Sequence, residues 1–275
     1  MPLYQVVVLA LVQGVTEFLP ISSTAHLALF PWLFGWKDPG LTFDVALHAG
    51  TLVAVIVYFW RSWLNMTRAG LGIGKSGNPH SAENRRLFWF LVLATVPAGF
   101  AGWVFEDAAE NQLRQPELIA TAMIVVGLLI WAGDKAKAAK ATLGQINLVD
   151  SVLVGIAQAL AIIPGVSRSG ATMTAALFRG LNRETSARFS FLLSTPIIAG
   201  AVLKKGVEIV KHGLPPDMLM PFLVGTVVAA ASGYLVIAWL IRYLERRTFK
   251  IFIVYRLAFG VLVLALGWGL RHHAG

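Results

Sequence analysis

Apolar runs near the roughly 20 residues that a helix needs to cross a bilayer recur along the whole of this 275-residue chain. They lie at approximately 43–60, 87–105, 117–133, 187–203, 218–241 and 250–270. Hydrocarbon offers the backbone no hydrogen-bond partners, so such segments satisfy themselves internally, as helices. Composition agrees: 57% of residues are hydrophobic and 13% charged, with a mean hydropathy of +0.70. A soluble domain carries about 25% charged residues, so two soluble domains are the poorer reading. The expected fold is an all-α polytopic membrane protein, a single integral domain over 1–275.

The formal net charge is +9 and the pI about 10.1. Positive loops on one side of a membrane account for this without a nucleic-acid partner. Cysteine is absent, which excludes disulfides, thiolate chemistry and cysteine metal sites. No positive n-region precedes the first apolar run, so that run is read as part of the mature fold.

Two further apolar stretches are broken in the middle. Residues 3–19 form a helical run holding Gln13 and Glu17, four apart and so on one face. Pro20 stops it, and Ser22-Ser23-Thr24 opens another helix in which His26 shares the face of Ser23. The second pair, roughly 148–163 and 169–181, is broken at Pro164-Gly165-Val166-Ser167-Arg168-Ser169-Gly170-Ala171-Thr172. Pro164 ends one helix, Gly165 permits a turn, and Ser167 or Ser169 can cap the next helix. Each arm is short for a full span, as expected of re-entrant hairpins whose irregular tips are buried in protein. The Met66–His80 stretch, rich in Gly, Lys, Asn and Pro, reads as a flexible loop.

The broken pairs resemble each other. Gln13 through Pro20-Ile-Ser22-Ser23-Thr24 matches Gln158 through Pro164-Gly-Val-Ser167-Arg168-Ser169, and Phe43…Leu47…Gly50 matches Phe189…Leu193…Pro196. Each half, about 1–135 and 146–271, is then one hairpin plus three spans. An odd number of spans inverts the second half relative to the first, giving six transmembrane helices and two re-entrant hairpins in an inverted repeat.

Loop charges orient this plan. Arg61, Arg68, Lys75, Arg85 and Arg86 follow the first span; Lys135, Lys137 and Lys140 follow the third; Arg242, Arg246, Arg247 and Lys250 follow the fifth. The alternate loops hold Glu106, Asp107, Glu110 and Arg114, then Lys204, Lys205 and Lys211. The first set belongs in the cytoplasm. Both termini then lie outside, the first hairpin dips in from outside, the second from the cytoplasm, and their tips meet near the midplane.

The chemistry concentrates at those tips. The first turn of the helix after Pro164 exposes backbone N–H groups, and Arg168 adds a planar fork of donors, so together they form a phosphate cradle. A polar kink is the competing reading; a charge and three hydroxyls in an apolar setting favour function. Glu17 is costly in a membrane unless paired, protonated or holding a cation. With Gln13 one turn away it supplies oxygen ligands for a divalent ion; the competing readings are a neutral buried carboxyl and an interhelical hydrogen bond. His26, near Ser23, has the reach of a general base or acid. Asp44 and His48, also four apart, are supporting or gating groups, with a structural role slightly favoured.

The segments Gln13-Gly-Val-Thr-Glu17-Phe-Leu-Pro-Ile-Ser22-Ser23-Thr24-Ala-His26 and Pro164-Gly-Val-Ser167-Arg168-Ser169-Gly170-Ala-Thr172 resemble the two signatures of the bacterial undecaprenyl-diphosphate phosphatase family. Length and hydrophobic layout match over essentially the whole chain. The resemblance implies removal of phosphate from the C55 isoprenoid diphosphate, recycling a cell-wall lipid carrier, with an association with bacitracin resistance. It implies a divalent cation, magnesium or calcium, at Gln13 and Glu17. Position 13 is Gln where Glu also occurs in the family, which leaves its share of the metal open. It further implies Ser23 as the nucleophile or as the group positioning water, with His26 or Glu17 handling the proton, and Arg168 clamping the diphosphate. Ser22, Thr24, Ser167, Ser169, Gly170 and Thr172 would contact the substrate. A polyprenyl diphosphate partner, the bacterial inner membrane and a site opening to the extracytoplasmic side follow, with a homodimer as a candidate assembly.

A phosphatidic-acid-type phosphatase needs Lys-x6-Arg-Pro, Pro-Ser-Gly-His and a later Ser-Arg-x5-His. Ser167-Arg168 is present, but no His follows at that spacing and the first two elements are absent. The rival from another class is a secondary transporter or flippase, since broken helices around a midplane anion site also describe carriers. Phosphate release from a prenyl diphosphate separates the two.

Overall fold

The first apolar run breaks between Glu17 and Ser22: α1 (Leu3–Thr16) ends before Glu17, and α2 (Ser23–Phe34) starts after Ser22. The computed structural model describes residues 1–37, 39–73, 80–105, 113–213 and 216–273. Within them follow α3 (Leu41–Tyr58), α4 (Trp60–Gly70), α5 (Ser81–Val104), α6 (Pro116–Asp134), α7 (Leu148–Ala159), α8 (Arg168–Phe178), α9 (Arg183–His212), α10 (Leu219–Arg246) and α11 (Lys250–His273). Apart from short 3-10 turns and one isolated bridge between Lys140 and Leu181, the regular structure of the described residues is α-helical.

Helices α5, α6, α9, α10 and α11 are each long and apolar enough to cross a membrane, and α3 with α4, bent by 79°, makes a sixth if the pair counts as one span. α1 and the α7 region are apolar but shorter. This is the all-α polytopic plan with two pairs of short helices. Side chains such as Val227, Leu235, Val96 and Phe100 are exposed on the outer faces of α10 and α5, as lipid-facing positions require. One expectation is corrected: Met66–Gly70 closes α4 rather than opening a loop. Met66 is 1% exposed within the main core, and burying it against neighbouring helices outweighs the weak helix propensity of the flanking glycine. Residues 74–79, with Lys75, lie outside the described residues, as do Glu106, Asp107 and Glu110.

Packing sets one face of each short helix against the bundle. α1 and α3 pack on α10, α11 on α6, and α7 on α5 and α8. At Gly14 the α1 backbone approaches α10 so closely that an added Cβ would lie 1.9 Å from Ser232 Oγ, so a larger residue would force the helices apart. Phe18 and Phe191 meet edge to face at 5.3 Å, and both are fully buried with Phe189, Leu192 and Leu193. Asp150 receives Lys140 and Arg179, and Asp134 receives Arg183 Nε at 2.5 Å. These pairs fasten α7, α8 and α9 to the segment after α6, and they engage part of the positive charge that the loops carry.

Candidate active site

Both breaks turn on a serine in an unusual backbone state. Ser22 has φ 76° and Ser167 φ 70°, and these are the non-glycine residues with positive φ among those described. Such conformations cost about 1–3 kcal/mol each and persist where surrounding structure imposes them. Ser22 caps α2 by accepting from the Ala25 amide at 3.4 Å; Ser167 caps α8 by accepting from the Gly170 amide at 3.0 Å. Each also lies 3.2 Å from a hydroxyl two residues on, Thr24 and Ser169 respectively.

The breaks touch. Ser169 Oγ donates to the Leu19 carbonyl at 2.9 Å, and Arg168 Nη2 donates to Glu17 Oε1 at 2.7 Å. Glu17 Oε2 accepts from Ser23 Oγ at 2.5 Å and from Gln13 Nε2 at 3.1 Å. His48 Nε2 lies 3.6 Å from the same oxygen, and its Nδ1 donates to the Asp44 carbonyl at 2.7 Å. Asp44 in turn accepts from Arg114 at 3.1 Å. One buried carboxylate therefore gathers an amide, a hydroxyl, an imidazole and a guanidinium from four helices, α1, α2, α3 and α8.

Two buried atoms at this centre have no hydrogen-bond partner: Arg168 Nη1 and Gln13 Oε1. An unmade bond at a buried polar atom costs about 1–3 kcal/mol, and the pair offers one donor and one acceptor to a ligand. A hard divalent cation takes oxygen ligands, so Gln13 Oε1 beside Glu17 fits such an ion. Among the described residues no group of three or more His, Cys, Asp or Glu forms a metal cage, so further oxygens would have to come from the substrate.

Other expected residues are placed differently. His26 shares a face with Ser23, yet its Nδ1 donates to the Ser22 carbonyl at 2.6 Å. A neutral imidazole then accepts at Nε2, from the Tyr255 hydroxyl at 2.6 Å. Its ring lies nearly parallel to those of Tyr255 and Phe259, with centroids 5.6 and 5.1 Å away. The proton of Ser23 is directed to Glu17, not to His26. Thr172 is fully buried and donates to the Arg168 carbonyl at 2.7 Å, with Ser190 Oγ 2.6 Å away. Thr172 and Ser169 therefore brace the second break. Tyr255 and Arg256 escaped the sequence reading; the available signal was a lone arginine inside the apolar run 250–270.

A carboxylate, a hydroxyl and a guanidinium in mutual contact can supply what phosphoryl transfer requires: a base, a nucleophile and a charge clamp. The chain as a whole is similar to known proteins. The family model described as "Bacitracin resistance protein BacA" matches residues 6–262. The undecaprenyl-diphosphatase of Moorella thermoacetica is 49% identical over 98% of this chain and 99% of its own length. That of Pelotomaculum thermopropionicum is 47% identical over 97% of both chains, and that of Desulforudis audaxviator is 47% identical over 96% and 97%.

Proposed function

The chain belongs to the bacitracin resistance protein BacA family, and from that premise we propose that it is an undecaprenyl-diphosphatase. It hydrolyses the C55 prenyl diphosphate to the monophosphate and phosphate, recycling the lipid carrier of cell-wall synthesis. The observation that carries this reading is the 2.5 Å hydrogen bond from Ser23 Oγ to Glu17 Oε2, with Arg168 on the other carboxylate oxygen.

In the reaction, Glu17 takes the proton of Ser23 as Oγ attacks the terminal phosphorus. The Oγ–P bond forms, the bridging P–O bond breaks, and the prenyl monophosphate leaves. Water then attacks the phosphoserine phosphorus, the Oγ–P bond breaks, Oγ recovers its proton from Glu17, and phosphate leaves carrying the protons of the water. Arg168 Nη1, the buried donor without a partner, binds a phosphate oxygen and stabilises the charge that builds there. The first-turn amides of α8 add donors at a helix N-terminus, while Ser22, Thr24, Ser167, Ser169, Gly170 and Thr172 hold the cradle in shape. His26 orients the Ser22 carbonyl beside the nucleophile. Gln13 and Glu17 would hold a magnesium or calcium ion together with diphosphate oxygens. Such an ion, when bound, offsets the charge of the diphosphate.

The shared backbone geometry of Ser22 and Ser167 supports halves of about 1–135 and 146–271 arranged as an inverted repeat. Charge asymmetry of the loops supports the bacterial inner membrane, with both termini and the entry to the site on the extracytoplasmic side. A homodimer is part of the reading, to be read from the mass of the detergent-solubilised protein. Phosphate release from a prenyl diphosphate by purified protein, with and without chelator, is the direct test. Absence of release at every divalent-ion concentration would sink the enzymatic reading and leave a carrier.

A further inference from the structure

Arg256 is the largest fully buried side chain among the described residues, at 0% exposed. It lies seven residues into the apolar helix α11, and the groups it donates to are backbone carbonyls. Nε donates to Met123 at 2.9 Å, and Nη2 reaches Ala122 at 3.4 Å, which anchors the side chain on α6. Nη1 donates to the Pro20 carbonyl at 3.1 Å. Nη2 also donates to the Gly165 carbonyl at 2.8 Å, with Val166 at 3.3 Å.

The acceptors match across the two breaks. Pro20 lies two residues before Ser22, and Gly165 two residues before Ser167, the two positive-φ caps. One planar guanidinium therefore grips the same point of each break from a third element. The grip is close: a Cβ on Gly170 would stand 3.4 Å from Arg256 Nη1, so the head of Arg256 lies beneath the first turn of α8. The neighbouring Tyr255 holds His26, so consecutive residues of α11 fix the first hairpin and the junction of both.

Charging an arginine inside a membrane protein is costly, and a purely structural plug would be served by an apolar side chain of similar volume. A guanidinium donates in several fixed, coplanar directions at once, which an ammonium on a flexible stem cannot do. Carbonyls in breaks facing away from water need donors, and these two breaks carry the groups that must meet.

We propose that Arg256 is a positioning residue for the phosphatase reaction: it locks the two breaks in register so that Glu17 and Ser23 on one side meet Arg168 on the other. The proposal rests on the function read above. Substrate binding depends on several groups, whereas in-line attack depends on the spacing of the breaks. Its loss therefore falls on turnover more than on affinity.

The test uses Arg256→Lys and Arg256→Gln in purified full-length protein, with wild type and Arg168→Lys alongside. Expected results are a fall in kcat of roughly 10- to 100-fold with KM within about threefold. The Arg256→Lys/Arg168→Lys double variant should be little worse than the poorer single one. Hydrogen exchange followed by mass spectrometry should rise at residues 18–23 and 164–171 while α5 and α10 stay protected. Wild-type kcat in either variant, additive losses in the double variant, or a uniform rise in exchange would each overturn the proposal. If wild type itself releases no phosphate, the function fails and the exchange pattern alone decides the clamp: confined to the two breaks it upholds it, uniform or unchanged it overturns it.

Discussion

Arg168 Nη2 donates to Glu17 Oε1 at 2.7 Å across 151 positions of sequence. The side chains are 15% and 4% exposed, so little water screens the contact and the electrostatic interaction is stronger than at a surface. Because Ser23 uses the other oxygen, the carboxylate separates its two tasks. In the proposed reaction one oxygen receives a proton, while the other holds the guanidinium that faces phosphate.

Arg168→Lys keeps the positive charge and loses the fork. The variant should fold normally and lose about 1.5–3 kcal/mol of transition-state stabilisation, roughly 10- to 100-fold in kcat/KM. Steady-state hydrolysis of a short prenyl diphosphate in detergent reads this directly. Near-normal turnover would remove Arg168 from the site.

Ser23→Ala and Glu17→Gln each interrupt the same proton transfer, so each should lower kcat by about 10³-fold or more, and the double variant should be no worse than the poorer single one. His26 belongs to a different unit. Tyr255→Phe removes the donor to its Nε2 and should cost about 1 kcal/mol, near fivefold in turnover. It should add nothing once His26→Ala is present. Normal turnover in Ser23→Ala would reduce the first break to a structural feature.

Gly165 has φ 92°, and an added Cβ would lie 2.3 Å from the Ile119 carbonyl oxygen. Gly165→Ala is therefore both strained and crowded, and should destabilise the fold by more than about 2 kcal/mol. A thermal melt in detergent checks it; an unchanged midpoint would show that the turn relaxes freely.

Topology is tested at exposed positions in a chain without native cysteine. Lys137→Cys should resist a membrane-impermeant thiol reagent in intact cells, and Lys211→Cys should react. Both positions are exposed in the structure. Reversed labelling would invert the protein in its membrane, and the direction of substrate entry with it.

Hydrophobicity over a given length and the steric demands of proline are local properties, and they determined the all-α plan, the order of the spans and the breaks near Pro20 and Pro164. The same locality made Gln13, Glu17, Ser23 and Arg168 legible as costly polar groups in an apolar setting. Which groups pair was beyond it. Spacing put His26 beside Ser23, but a 2.6 Å contact from Tyr255 on a distant helix holds His26, and Ser23 turns to Glu17. His48 reaches Glu17, and Arg256 reaches Pro20 and Gly165, because α3 and α11 are rotated and packed to face the breaks. Those orientations go with close approaches such as Gly50 of α3 against the Thr226 carbonyl and Gly260 of α11 against Ile124, summed over the whole bundle. Sequence distance carries no record of such sums, so the polar groups were set by the chain and their partners by the packing.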